Sequence, residues 1–265
     1  MAKLVGILNL TRDSFSDGGR YVDPDAAVER AHALVADGAD WIDVGAESTH
    51  PDSEDVSAAE ELRRLEPVVG RLADAGLAVA VDTWKPEVMR RVLELGARAV
   101  NDVRALQTPG AVEAVRDSDA ELVLMHSVAA SARAERLGRD ASPSDIVARV
   151  VGFFEERIEA LRAAGVDPQR LVLDPGMGFF LSPDPAVSLA VLRGLPQLRA
   201  LGRPVYVCTS RKSFLGQLLG REVAERGPAT LASELYACRA GVDYIRTHDV
   251  RALADAIAVQ RAIES

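Results

Sequence analysis

Cysteine is almost missing from this chain: its 265 residues hold two, Cys208 and Cys238, beside four histidines. Two thiols exclude a disulfide framework, and no Cys/His group has the spacing of a metal-ligand cluster. A reducing, cytoplasmic setting is the expectation. Positive charge is also scarce, with 31 Lys and Arg against 40 Asp and Glu, a formal net charge of −9. That balance argues against a general affinity for nucleic acid or anionic membranes, so an anionic ligand must be met by a local cationic pocket. Long apolar runs are absent too. The opening MAKLVGILNL is interrupted by Asn9 and is too short for a signal segment or a membrane span; it reads as a first buried strand. No GxGxxG or Walker-type loop follows it, as a nucleotide-binding open sheet would show, and there is no short repeat or low-complexity linker.

What is present is 48% apolar and 27% charged residues, the balance of a soluble globular protein, in a length that suits one α/β barrel. Short apolar runs mark eight strands: Leu4–Leu8, Trp41–Val44, Ala78–Val81, Ala99–Val100, Leu122–Met125, Leu171–Leu173, Val205–Val207 and Tyr244–Ile245. Between them, apolar residues three and four apart predict helices over Asp25–Asp37, Ala58–Ala75, Pro86–Leu95, Ser144–Ala164, Pro185–Leu201, a broken Lys212–Ala240 and Arg251–Ile263. Asp23-Pro24, Pro86 and Ser142-Pro143 supply start signals. Eight βα units predict a single (β/α)8 TIM barrel spanning residues 1–265, with a doubly wound open sheet as the competitor.

Chemistry in a barrel gathers where the strands end, and here every strand ends in a polar group. They are Asn9; Asp43 with Glu47, Ser48 and Thr49; Asp82; Asn101 and Asp102; His126; Asp174; Ser210, Arg211 and Lys212; Arg246 and His248. Any one aspartate could merely cap the next helix. Together, Asp82, Asn101, Asp174 and Lys212 offer acceptors, an amide and a cation that match the edge of a nitrogen heterocycle. Arg246, His248, Asn9, Thr49 and His50 suit a polyanion. The stretch LVLDPGMGFFLSP then sets Phe179, Phe180 and Leu181 in a loop, where aromatics are seldom spent on water. Their rings either wall a site or tuck under the sixth helix against Leu189 and Leu192. Glu61, Arg63 and Arg64 read as a solvated helix face, Cys208 as a small core hydrophobe, and Asp13–Gly19 as a loop able to close over a ligand.

The runs GILNLTRDSFSDGGRY, IDVGAESTHP, VDTWKPEV, ND, LMH, LDPGMGF, TSRKSFLG and RTHDV, in this order, resemble the dihydropteroate synthase family over nearly the whole chain. The resemblance implies a barrel enzyme that condenses 6-hydroxymethyl-7,8-dihydropterin diphosphate with 4-aminobenzoate, releasing pyrophosphate with help from Mg²⁺. It implies that Asp82, Asn101, Asp174 and Lys212 hold the pterin, that Asn9 ligates the metal, and that Thr49, Arg246 and His248 take the diphosphate. Ser213 would sit near the aminobenzoate carboxylate, and a homodimer through the last two helices is expected. The chain departs from the family pattern at Arg12, where proline is usual, at Ala46 and Ala105, where glycine is usual, and at His50, where arginine is common. After His126 the usual continuation is replaced by SVAASARAERLGRD. DPGMGFFLSPDP, LMHS, THPD and GPATLASELYA are similar to the Sul-type synthases of sulfonamide resistance, whereas AEST and VDTWK are closer to ordinary ones. Two competing readings are a pterin-dependent methyltransferase of the same fold and a non-catalytic pterin-binding paralogue.

Overall fold

Inward-facing residues on alternate positions of each strand decide how this chain closes. The chain runs β1 (Lys3–Asn9), α1 (Pro24–Ala36), β2 (Trp41–Gly45), α2 (Ala58–Asp74), β3 (Val79–Asp82), α3 (Pro86–Glu94), β4 (Ala99–Asp102), α4 (Ala111–Val115), β5 (Glu121–Met125), α5 (Ile146–Ala163), β6 (Leu171–Asp174), α6 (Pro185–Arg193), α7 (Leu195–Arg199), β7 (Tyr206–Val207), α8 (Ser213–Leu219), α9 (Gly227–Arg239), β8 (Tyr244–Thr247) and α10 (Val250–Glu264). The structure is a computed structural model and describes residues 2–10, 23–48, 55–128 and 141–264. All strands pair in parallel, in the order β6-β5-β4-β3-β2-β1-β8-β7. A parallel bridge between Leu173 and Val205, with Leu173 N–H donating to the Pro204 carbonyl at 2.8 Å, joins β6 to β7 and closes the barrel.

The helices start where their caps predict. Asp23 accepts from the amides of Asp25 and Ala26 ahead of α1, Ser57 from Glu60 ahead of α2, and Asp184 from Ala186 ahead of α6. The segment expected as one helix from Pro185 is two, because Pro196 in the first turn of α7 cannot donate back into α6. Helix α4, five residues long, is too short to leave a periodic signal.

One residue from each strand, Val5, Trp41, Ala80, Ala99, Val123, Val172, Tyr206 and Tyr244, packs into an apolar floor inside the barrel. Beneath it Lys3 lies over the rings of Trp41 and Tyr244, and the Tyr244 hydroxyl donates to Glu121 at 2.6 Å, which seals the bottom. The alternate residues, such as Ile42, Val44, Val81, Leu122 and Leu171, face the helices in the outer core. At about 1.5–3 kcal/mol for each large side chain fully buried, that shell is the main stabilising term. Two residues beyond the floor, on the same face of each strand, stand Ile7, Asp43, Asp82, Asn101, Met125, Asp174, Cys208 and Arg246. Several strands therefore run one or two residues further than their apolar stretches, and the extra residues include the charged Asp82, Asp102, Asp174 and Arg246.

Candidate active site at the barrel mouth

Asp43 is fully buried and anchors the mouth. Its Oδ2 accepts from Asn101 Nδ2 at 3.1 Å and lies 2.5 Å from Arg246 Nε, an ion pair without an aligned hydrogen bond. The other arm of the guanidinium donates to Asp82 Oδ2 at 3.0 Å. Arg246 thus spans the ends of β2 and β3 from β8, below the rim, and its cation offsets part of the cost of burying two carboxylates. Even so, burial pushes Asp82 up to about 7, with Arg246 opposing and Asp43 adding to the rise. Asp174 is pushed up to about 6 by burial, opposed by the Gly176 amide that donates to its Oδ1 at 2.8 Å and by the charges of Lys212 and Arg246. Two carboxylates poised near neutrality in one apolar-floored basin are suited to reading donors on a flat ring.

The turn after β6 depends on glycine. Gly176 has φ +72°, and a Cβ there would lie 2.3 Å from the His126 carbonyl oxygen. The 3-10 turn Gly178–Phe180 that follows throws the rings back over the barrel mouth rather than under α6. Phe180 is buried with Val103 and Met125, and Trp84 and Phe179 pack against them. Leu189 belongs to the outer core instead, so the expected alternative of rings resting on Leu189 and Leu192 is corrected. Lys212 caps α8, and its Nζ lies 4.9 Å from the centre of the Phe180 ring. Ser213 opens that helix with its Oγ buried and unpartnered among the described residues.

Higher on the rim, Asn9 is exposed at the end of β1. His248 is held by Ser210, whose Oγ lies 2.8 Å from Nδ1 and accepts from the His248 amide at 3.2 Å. Either partner of the Ser210 Oγ–Nδ1 pair can be the donor, and with the hydroxyl donating the neutral ring carries its proton on Nε2. Burial, helped by the charges of Arg246, Arg211 and Lys212, pushes His248 down to about 3, so the ring is neutral. Thr49, His50, Arg12 and the Asp13–Gly19 loop lie outside the described residues.

Residues 5–248 match the family model of pterin binding enzymes. The chain is 45% identical to a type-3 dihydropteroate synthase of Escherichia coli over 99% of this chain and all of the relative. It is 42% identical to the dihydropteroate synthase of Mycobacterium leprae over 97% of this chain and 92% of that one. The chain belongs to the dihydropteroate synthase family. Type-1 and type-2 dihydropteroate synthases of Escherichia coli are 45% identical over 94% and 98% of this chain. The solved structure of the Xanthomonas albilineans dihydropteroate synthase with 4-aminobenzoic acid superposes with a TM-score of 0.90 at 43% identity, covering 100% of this chain and 93% of that one. The same enzyme in complex with 7,8-dihydropteroate gives 0.86 at 42% identity, covering 100% and 94%. Transferase chemistry on a TIM barrel is therefore the setting for this mouth.

Beside it lies a cluster of which the strand-end reading named only Glu47. Lys85, only 7% exposed, pairs with both Glu47 and Glu61, and Glu47 Oε1 also accepts the Val56 amide at 3.3 Å. Glu61 is 1% exposed, and Arg64, buried beside it, donates to the Ala46 carbonyl at 2.9 Å. The expectation of a solvated face at Glu61 and Arg64 is corrected; Arg63 alone of the three is exposed. A signal was there to read, because Glu61, Leu65, Val68 and Leu72 form one buried stripe at helical spacing. His126 is buried edge-on to Phe153 and pushed down to about 4 by burial, a neutral packing group.

Proposed function

We propose that this chain condenses 6-hydroxymethyl-7,8-dihydropterin diphosphate with 4-aminobenzoate, giving 7,8-dihydropteroate and pyrophosphate, at the mouth just described. The observation that carries the reading is the meeting of Asp82, Asn101, Asp174 and Arg246 over one apolar floor, with Lys212 and His248 close enough to contribute to the fields around them. Asp82, Asn101 and Asp174 take the ring's donors, and Lys212 its acceptors. Arg246, lying lower than an oxyanion holder needs, underlies the ring, while neutral His248 donates from Nε2 to the diphosphate with Thr49 and His50.

The C–O bond to the departing diphosphate breaks as the ring shares the positive charge left on its methylene, and the 4-aminobenzoate nitrogen forms the C–N bond. The amine loses a proton to solvent or to the leaving anion. Position and anion stabilisation are what the protein supplies, and no strong base is assigned. Among the described residues no group of three His, Cys, Asp or Glu side chains could cage a metal. Mg²⁺ commonly takes one or two protein oxygens together with substrate phosphates and water, a mode that the exposed Asn9 amide oxygen fits. When bound, the ion would neutralise charge on the diphosphate.

Phe179 and Phe180, with Trp84, supply the wall on which the aminobenzoate ring lies, near Ser213, and the added aromatic discriminates against sulfonamides. No described helix is long and apolar enough to cross a membrane, and cytoplasmic residence fits the two free cysteines. A homodimer uses the groove between α9 and α10, of about 840 Å³, where Tyr236, Val259 and Ile263 stand exposed. Pyrophosphate release with both substrates and Mg²⁺ tests the reaction: ring binding without turnover would favour a non-catalytic paralogue. Sulfamethoxazole inhibition of wild type beside Phe179→Ala tests the wall, which equal inhibition of the two would remove.

A further inference from the structure

Helix α9 should turn an apolar stripe toward the barrel, yet the first two turns of its inner face are polar, before the buried Ala237. Thr230, Ser233 and Glu234 stand at i, i+3 and i+4, and Thr230 and Glu234 are buried. Each meets a residue next to a proposed site group. The Thr230 hydroxyl oxygen accepts the Arg211 amide at 3.0 Å, the Ser233 hydroxyl lies 2.9 Å from Thr209 Oγ1, and the Glu234 carboxylate accepts from the Thr247 hydroxyl. Thr209 and Arg211 flank Ser210, which holds His248, and Arg211 precedes Lys212. Thr247 precedes His248.

Arg211 is the strained member. It sits at φ +57°, in the left-handed region that a side chain bearing Cβ disfavours, although its own side chain is exposed. Both of its backbone groups are pinned, the N–H by Thr230 and the C=O by Arg226 at 2.9 Å. Lys212 then leaves in an extended conformation, φ −63° and ψ 154°, into α8. The direction of the Lys212 side chain is set by that inversion one residue earlier.

We infer that Thr230 is a positioning residue for Lys212: its hydroxyl holds Arg211 in the left-handed conformation that aims the lysine at the heterocycle. The inference rests on Lys212 being a ring-binding group. Removal of the acceptor lets the turn relax toward an ordinary φ and swings Lys212 off the ring, while Ser213, held in the first turn of α8, keeps its place beside the aminobenzoate.

Steady-state kinetics on four variants test it. Thr230→Val, which keeps the shape and loses the acceptor, is expected to raise the KM for the dihydropterin diphosphate about tenfold, the equivalent of one lost hydrogen bond. The KM for 4-aminobenzoate should stay within about twofold, a split that a general loss of structure would not produce. Thr230→Ser should restore the wild-type value. So should Thr230→Val with Arg211→Gly, since glycine occupies the left-handed region unaided, and this double variant is also the one to assay if Thr230→Val alone does not fold. Lys212→Ala is the control for the underlying reading: if it leaves the pterin KM unmoved in an active wild-type background, the assignment of Lys212 fails. If Lys212→Ala raises that KM while Thr230→Val does not, or the glycine double variant stays impaired, the positioning role of Thr230 is overturned.

Discussion

Asp174 shows how one side chain is set against itself at the mouth. Burial raises it to about 6 from an ordinary 3.8, so the protonated form is favoured by the fold. Stability from that group is fully present below about pH 3.8 and is lost as pH rises through about 6. Asp174→Asn should therefore stabilise the ligand-free protein at pH 8 by about 1 kcal/mol, a Tm rise of about 2–4 °C in a chain of this size. The same change should weaken dihydropterin binding about 10- to 100-fold, the cost of losing a charged acceptor. Calorimetry of the wild type and the variant decides, and a variant with lower Tm and unchanged affinity would remove the argument. Asp82, at about 7, adds to the same trend: dihydropterin affinity should fall as pH drops from 8 to 5.5. His248 is neutral across that range and adds no limb to the profile.

Among the elements, the loop after β4 holds the clearest strain. Ala105 and Leu106 lie at φ +50° and +59°, and Arg157 from α5 clamps their carbonyls at 2.6 and 2.5 Å. Asp102 accepts the amides of Arg104 and Leu106 from below, both at 2.7 Å. Ala105→Gly keeps all four hydrogen bonds and removes the Cβ conflict, so urea unfolding should show a gain of about 0.5–1 kcal/mol; a loss would mean the loop is not strained. In α9, burial pushes Glu234 up to about 8 despite the Thr247 hydrogen bond. Its contribution is present below about pH 4.5 and is lost as pH climbs through about 8. Glu234→Gln should flatten that part of the Tm-against-pH curve, and an unchanged slope would assign the dependence elsewhere. Ala105 was noticeable in the sequence only as a departure from a usual glycine; nothing local marked Glu234, because a glutamate at a helical position normally faces water.

For the whole molecule, the groove between α9 and α10 leaves apolar surface uncovered among the described residues, with Ile263 79% exposed. A chain with net charge −9 gains nothing by showing such residues to water unless they meet another surface. Ile263→Glu should convert the proposed dimer to monomer in light scattering, since a stable interface of about 1,000 Å² or more tolerates no unpaired charge at its centre. A wild-type protein that is already monomeric at the same concentration would reject the interface. The inner face of α9 braces the turn that carries Lys212, so one helix serves both surfaces.

Eight strands, their order in the chain and the polar residue that ends each were legible because strand periodicity and turn chemistry are local. Which strand-end groups would meet was not local. Arg246 pairs with Asp43 and Asp82, residues about 200 and 160 positions away, only because closure brings β8 beside β1 and the inner faces of β2 and β3 into reach across the lumen. Burial of Glu61 with Lys85, the return of Phe180 over Met125, and the pinning of Arg211 by Thr230 likewise depend on closed packing, where the field and the free space at a side chain are summed over elements far apart in sequence.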